Sequence, residues 1–480
     1  MTEQAPQILF VVSECAPLVK TGGLADVAGA LPTALEEHGV RTRVLLPGYR
    51  DVMRQVGKGA TAKEFGDLFG APAKLLACTI AGLDLLVLDA PHLYDRDGGL
   101  YVDAKGKDWA DNPERFAALC QAAAAIGSEG ASGWFPDLVH GHDWQAGLTP
   151  EYLAAAKCDV PFVFTIHNIA FHGNVEASKL DVLGLDPSRF HAEGFEFWGQ
   201  ISALKAGLMG AAKLNTVSQT YAQELLTPEF GIGMDGVLRR RQADFIGIVN
   251  GIDESVWSPA TDPNISNYFT ATGKAANKKS LQNEFGLPKA SGPLCVMVSR
   301  LTEQKGIDLL LEALPELMSQ NGQLVVLGSG DTMLETRLLE AAANHENVAV
   351  KIGYDEALSH RMIAGGDVIL VPSRFEPCGL TQLYGLRYGT VPLVSMTGGL
   401  ADTVINASPA ALASGVATGI QFFPIHGSAM THAVRRLGEL YAQTAVWRKM
   451  QRNAMKQSVG WDHSAADYLA MYAPLVSSTR

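Results

Sequence analysis

Arg300 and Lys305 stand in one short polar segment, Arg300-Leu-Thr-Glu-Gln-Lys305-Gly306, directly after the apolar run Leu294–Ser299. A guanidinium bonds bidentately to an anion and an ammonium adds a compact charge, so this pair suits a diphosphate without a metal. A second segment, Pro372-Ser-Arg374-Phe-Glu376-Pro-Cys378-Gly379-Leu380-Thr381-Gln382, follows the run Val368–Val371. The proline after Glu376 pushes that residue into an extended backbone. Its carboxylate is then poorly placed to cap a helix and well placed for ligand hydroxyls. Two more strand ends carry histidine, Val139-His140-Gly-His142-Asp143-Trp144 and Thr165-Ile-His167-Asn168. His140, His142 and Asp143 could ligate a metal, yet no carboxylate–histidine spacing elsewhere completes such a site. Polar contacts to a substrate are the preferred reading, and no metal is expected.

The hexapeptide Thr-Gly-Gly-Leu-Ala-Asp occurs twice, at Thr21–Asp26 and Thr397–Asp402. Gly22-Gly23 and Gly398-Gly399 allow close approach of backbone to a ligand, and each turn runs into a helix-like stretch, Ala25–Ala34 or Asp402–Ala410. Free N–H groups at such a helix start favour an anion. Two copies suggest two ligand-facing loops on opposite walls of one cleft. Asp95-Arg96-Asp97 has the Asp-x-Asp spacing of some metal sites, but it lies in a Tyr94…Gly98-Gly99 loop and reads as a turn. Neither a Walker P-loop nor a full G-x-G-x-x-G fingerprint occurs.

These groups need strands to hold them. Short apolar runs predict strands at Ile8–Val12, Arg43–Leu46, Leu83–Leu88, Asp137–His140, Phe162–Ile166 and Leu214–Val217. A second series follows at Leu294–Ser299, Gln323–Leu327, Val348–Ile352, Val368–Val371 and Val391–Val394. Helical patterns such as Pro113–Ile126, Ile307–Ser319 and Met333–Asn344 fill the gaps. This alternation predicts an α/β protein with parallel sheets covered on both faces and ligands at the strands' C-terminal ends. The expected divisions are a first domain over 1–255, a Pro- and Asn-bearing hinge over 256–277, and a second domain over 278–460. An amphipathic tail over 461–480 is expected to cross back to the first domain.

A chain of 480 residues exceeds one core, so two domains are the default. Its formal charge is −12, from 50 acidic and 38 basic residues, which argues against nucleic acid or an anionic membrane as partner. A neutral polymer is compatible with that surface. The six scattered cysteines form no C-x-x-C pair, the pattern of a reduced, cytoplasmic protein. The run Ile8–Val12 is too short for a signal core, and no stretch reaches the length of a membrane span.

Six motifs occur in a characteristic order: Lys20-Thr-Gly-Gly-Leu-Ala-Asp26-Val, His140-Gly-His-Asp143-Trp, Thr165-Ile-His167-Asn, Val249-Asn250-Gly-Ile-Asp253, Ser299-Arg300-Leu-Thr-Glu-Gln-Lys305-Gly and Arg374-Phe-Glu376-Pro-Cys378-Gly-Leu-Thr-Gln. In these the chain resembles, over nearly its whole length, the bacterial glycogen synthases and related plant starch synthases. The resemblance implies a GT-B fold, two Rossmann-like domains facing each other across a deep cleft. It implies transfer of glucose from ADP-glucose to the non-reducing end of an α-1,4-glucan such as glycogen, with retention and without metal or cofactor. Arg300 and Lys305 would stabilise charge on the departing ADP, and Lys20 with Gly22 and Gly23 would reach the diphosphate from the other side, near Asp26. Glu376 would orient the glucose, supported by Cys378, Gly379, Leu380, Thr381, Gly398 and Gly399. Asp143, His167 and Asn250 would serve the transferred glucose and the acceptor, His167 by its dipole and not as a nucleophile. Tyr354 would stack on the adenine or pack in the core. Many GT-B relatives carry a second Glu eight residues after the first; here that place holds Tyr384, as in glycogen synthases. The short segment Met1–Gln7 before the first strand favours a bacterial enzyme over a plant one. Another donor such as UDP-glucose, a small-sugar acceptor, a non-catalytic glucan binder and a sugar-nucleotide epimerase are the competing readings. A homo-oligomer stays open.

Overall fold

The computed structural model describes residues 5–57 and 59–476. The first four residues of the segment Met1–Gln7 and the last four of the tail therefore lie outside the described residues. The chain divides into two compact units, Met1–Asn250 with Trp461–Arg480, and Gly251–Gly460.

The first unit is built on a nine-stranded sheet. Its order is Phe245–Gly247, Lys213–Thr216, Phe162–Ile166, Leu138–His142, Gln7–Val11, Arg41–Pro47, Leu83–Asp89, Ala73–Ile80 and Ala60–Phe65. Pairing is parallel from the first of these to Leu83–Asp89 and antiparallel over the last two. The central strands are buried on both faces; Ile8, Leu9, Phe10 and Val11 are fully enclosed. That is why they read as unbroken apolar runs. Ala60–Phe65 escaped the sequence reading because this outermost strand has no buried residue and carries no such run; its neighbour Ala73–Ile80, half-buried with a short run at Leu75-Leu76-Ala77-Cys78, was not read as a strand either. A separate three-stranded antiparallel sheet joins Asn174–Glu176, Gln200–Ser202 and Glu196–Phe197.

The terminal helix Asp462–Val476 belongs to this first unit. It is fastened by polar bonds as well as packing: Tyr472 OH lies 2.8 Å from His140 Nδ1, and Asn215 Nδ2 donates to Tyr468 OH at 3.1 Å.

The second unit has a six-stranded parallel sheet ordered Val348–Ile352, Gln323–Gly328, Leu294–Val298, Val368–Val371, Val391–Ser395 and Ile420–Phe422. Side chains alternate between its two cores as the two-residue period requires. Cys295, Met297, Leu324, Val326, Val368 and Leu370 face one core, while Leu294, Val296, Val325, Leu327, Ile369 and Val371 face the other. The edge strand Ile420–Phe422 is too short to show in the sequence.

In each sheet the strand order reverses beside the first strand of the unit. The reversal lies between Gln7–Val11 and Leu138–His142 in one unit, and between Leu294–Val298 and Val368–Val371 in the other. Ligands of open parallel sheets bind beyond the strand C-termini at such points.

Residues 256–277, read from the sequence as a hinge, are part of the second unit. Trp257 is sandwiched between the rings of His360 and Tyr384, at 3.8 and 3.7 Å. Buried Asp262 accepts from His360 Nδ1 at 2.6 Å and Tyr388 OH at 2.7 Å. Lys274 donates to the Ala364 carbonyl and to Thr390 Oγ1, and its burial pulls the amine down to about 7. Single anchors, invisible to periodicity, fix a stretch whose composition looks loose. Among the described residues no helix is long and apolar enough to cross a membrane.

Candidate functional site

In the second unit, two loops leave the strands that flank the reversal. The first carries Arg300 and Lys305, and the second Glu376. Lys305 Nζ donates to Glu376 Oε2 at 2.5 Å, and Ser373 Oγ donates to the same oxygen at 2.8 Å. Both partners are mostly enclosed, with side chains 16% and 10% exposed. The loops are also sewn together through backbone. Arg374 N–H donates to the Gln304 carbonyl, Gln304 Nε2 donates to the Phe375 carbonyl, and Arg374 forks onto both carboxylate oxygens of Asp308. That bidentate pair holds Arg374 in a structural task. Arg300 differs: its side chain is exposed, and no hydrogen bond or ion pair engages its guanidinium among the described residues.

The second hexapeptide backs this pocket. Gly399 N–H donates to the Glu376 carbonyl at 3.1 Å. A Cβ on Gly398 would stand 2.0 Å from the Glu376 carbonyl oxygen, and one on Gly399 would stand 2.2 Å from that of Cys378. Gly398 also has φ +43°. Both glycines are thus demanded by protein backbone. The expected helix Asp402–Ala410 is replaced by two, Gly398–Thr403 and Pro409–Ser414. Between them Val404 is extended, Ile405 N–H bonds Thr418 Oγ1, and Asn406 bridges to Gly419, so these groups are taken from any helix ladder. Cys378 is buried, while Gly379, Leu380 and Thr381 lead into the helix Thr381–Tyr388. Tyr354 is 76% exposed, with its hydroxyl bonded to Glu356, so it is no core residue.

In the first unit, the first hexapeptide has a partner that the sequence did not signal. Glu14, buried just beyond the first strand, accepts Thr21 N–H at 2.5 Å, Gly22 N–H at 3.1 Å and Tyr101 OH at 3.0 Å. Two turn amides expected to face a ligand are therefore held by this carboxylate. Its position after the strand at the order reversal is the only signal that could have found it. A Cβ on Gly22 would meet nothing within 4 Å, the opposite of Gly398. Beside the turn, Lys20 Nζ pairs with Asp26 at 2.7 Å, both partly exposed.

Asp143 and His167 are brought together. Asp143 adopts φ +55°, a strained backbone for a non-glycine residue, though one that aspartate tolerates better than most. Its Oδ1 accepts the backbone N–H groups of His167 at 2.7 Å and Asn168 at 3.2 Å. Burial outweighs those bonds and pushes the carboxyl up to about 7. Burial also takes His167 down to about 3, so its ring is neutral at neutral pH. His167 Nε2 lies 2.9 Å from His142 Nδ1, and His142 Nε2 is buried with no partner among the described residues. His140 is a core group: its two nitrogens are taken by Thr165 Oγ1 and Tyr472 OH. Asn250 is buried with its Oδ1 unpartnered among the described residues. Among the described residues no three His, Cys, Asp or Glu side chains gather as a metal set. Asp95 and Asp97 both pair with Arg50.

The model of the starch synthase catalytic domain matches residues 7–240, and that of group 1 glycosyl transferases matches residues 279–438. A glycogen synthase of Jannaschia sp. is 67% identical over 466 residues, covering 97% of this chain and 98% of that one. The chain belongs to the glycogen synthase family. A glycogen synthase of Paracoccus denitrificans is 58% identical, covering 98% of this chain and all of its own. Among solved structures, the catalytic domain of starch synthase IV from Arabidopsis thaliana, bound to ADP and acarbose, superposes with a TM-score of 0.87 at 30% identity. That match covers 98% of this chain and 100% of the plant domain. The two α/β units are accordingly those of a GT-B glycosyltransferase, and glycogen synthesis by glycosyl transfer is the activity of the family.

Proposed function

We propose that this glycogen synthase family member moves glucose from ADP-glucose onto the non-reducing end of an α-1,4-glucan, with retention at the anomeric carbon and without a metal. The observation that carries this reading is the constellation of the second unit: Lys305 locked 2.5 Å from Glu376, with Arg300 beside it unpaired and exposed. Cations at a strand end meet the charge that grows on a departing diphosphate, which is the largest demand of such a transfer. The ADP bound by the plant relative supports an adenine nucleotide as the leaving group.

In this reading Arg300 and Lys305 hold the diphosphate, and the amides of Gly379, Leu380 and Thr381 meet its oxygens at a helix start. Gly398 and Gly399 set the Glu376 backbone, and the Glu376 carboxylate orients glucose hydroxyls. Tyr354, largely exposed, stacks its ring on the adenine. Lys20, paired with Asp26, supplies a further cation, while the Thr21 and Gly22 amides stay bonded to Glu14. Asp143, neutral His167 and Asn250 Oδ1 bind sugar hydroxyls.

The bond from glucose C1 to the diphosphate oxygen breaks, and its electron pair leaves with ADP. The acceptor 4-oxygen bonds to C1 on the same face, and its proton passes to the departing phosphate oxygen. No protein nucleophile takes part. The test is product analysis after incubation with ADP-glucose and maltoheptaose. Equimolar ADP and α-1,4-linked maltooctaose support the reading; a β linkage, or nucleotide release without chain growth, would overturn it.

A further inference from the structure

Trp198 is 85% exposed, an unusual position for an indole. It sits with Gly199 in the two-residue connection between the strands Glu196–Phe197 and Gln200–Ser202, where Phe197 faces Gln200 and Glu196 faces Ile201. Both turn residues are left-handed, φ +52° and +75°, the hairpin turn that favours Asn, Asp or Gly at its first position. Tryptophan is a poor choice there for folding, so the ring calls for another reason.

The turn is held firmly. Glu196 Oε1 accepts the Gly199 N–H at 2.7 Å, and Asn174–Glu176 pairs along the other edge of Gln200–Ser202. A line of contacts then leads back to the catalytic groups of the same unit. The Trp198 ring meets Phe197 edge-on at 6.3 Å, and Phe197 meets His172 at 5.2 Å. Gly173 lies so close to the Trp144 ring that a Cβ there would stand 2.3 Å away. Trp144 follows Asp143 directly, and Phe171, 53% exposed, follows the Asn168 whose amide bonds Asp143. Phe171 and Trp198 are thus exposed aromatic side chains: Trp198 is tied to the Asp143 neighbourhood through Phe197, His172 and Trp144, and Phe171 lies three residues after Asn168.

Resting on the glucan-elongating reading, we propose that Trp198, with Phe171, is a stacking platform for a distal glucose unit of the acceptor chain. A glucose ring offers a face of C–H bonds with hydroxyls around its rim. Stacking on indole removes that apolar face from water and leaves the hydroxyls solvated. The surroundings select a neutral polymer: Glu196 lies on the strand that enters the turn and Glu176 pairs across from Gln200, which leaves it, so carboxylates adjoin the turn and disfavour nucleic acid and anionic lipid.

The test is Trp198→Asn, which installs the favoured Asn-Gly turn and so preserves the hairpin. Its melting temperature should equal or exceed that of the parent. The KM for maltoheptaose or glycogen should rise about tenfold, equivalent to ~1.4 kcal/mol. The KM for ADP-glucose, the kcat and the KM for maltose should stay unchanged, and Trp198→Tyr should recover most of the long-chain affinity. Quenching of intrinsic fluorescence by maltoheptaose should weaken in Trp198→Asn. An unchanged long-chain KM, or an equal loss for maltose and maltoheptaose, refutes the platform. So does a change in sedimentation with glucan kinetics intact, which would assign the face to self-association. A parent protein that elongates no glucan with any donor would instead overturn the proposed function.

Discussion

Lys305→Ala probes the pair on which the proposed reaction turns. The ammonium is 2.5 Å from Glu376 Oε2 in a largely enclosed site, and its loss leaves that carboxylate oxygen with Ser373 Oγ as its remaining bond. Removing one partner of such a pair costs about 3 kcal/mol, the low end for a buried ion pair. In a unit of roughly 200 residues this lowers the melting temperature by about 6–10 °C. The effect on turnover has a separate origin. One charge-stabilising group aimed at a developing anion contributes on the order of a hundredfold in rate, again ~3 kcal/mol. The two effects separate in the double variant Lys305→Ala/Glu376→Gln, which has no stranded charge. Its melting temperature should return most of the way to the parent value while kcat stays at least a hundredfold down in a coupled ADP-release assay. A kcat for Lys305→Ala within threefold of the parent would remove Lys305 from the chemistry. Recovery of both stability and turnover in the double variant would show that the lesion was structural.

Three further outcomes follow from the geometry. Gly398→Ala should destabilise the second unit and abolish activity, because its Cβ would meet the Glu376 carbonyl at 2.0 Å, whereas Gly22→Ala should melt like the parent. Thermal melts of the two variants decide this, and equal losses would contradict it. Asp143 is raised to about 7 in the folded protein against about 4 unfolded, so the folded state binds the extra proton between those values. Its contribution therefore falls as pH rises from about 4 to 7 and is flat above. Asp143→Asn keeps the Oδ1 acceptor, so its stability relative to the parent, from urea midpoints at pH 4.5 to 8, should climb across that window; a pH-independent difference would contradict the burial argument. His140→Phe should lower stability by roughly 1–3 kcal/mol by stranding the Tyr472 hydroxyl, Thr165 keeping its bond to Asn215, with KM values unchanged, which steady-state kinetics of the folded fraction would check.

The inner parallel strands of both sheets were legible because parallel strands buried on two faces are continuous apolar runs, as Ile8–Val11 and Val368–Val371 show, while the edge strands Ala60–Phe65, Phe245–Gly247 and Ile420–Phe422 lack such runs. The motif loops were legible for the same reason, since each begins where a run stops. What stayed hidden was set by tertiary contact. Lys305 and Glu376 are 71 residues apart and meet because their strands are neighbours at the order reversal. Glu14 carries no local pattern, yet it claims the turn amides of Thr21 and Gly22. The identical hexapeptides looked alike in role, but Gly22 has room for a Cβ beside amides held by Glu14, while Gly398 and Gly399 are packed on the Glu376 and Cys378 carbonyls. His140 shared the strand-end signal of His142 and proved to be a bonded core residue. Residues 256–277 looked mobile by composition, while Trp257, Asp262 and Lys274 bind them to the second unit through side chains that no periodicity reveals.

The most direct measurement is nucleotide release with glycogen as acceptor, comparing ADP-glucose with UDP-glucose, each with and without EDTA. The account predicts rapid ADP release that is indifferent to EDTA, matched by glucose entering the polymer, with UDP-glucose a poor donor. Preference for UDP-glucose, or activity abolished by EDTA, would contradict it.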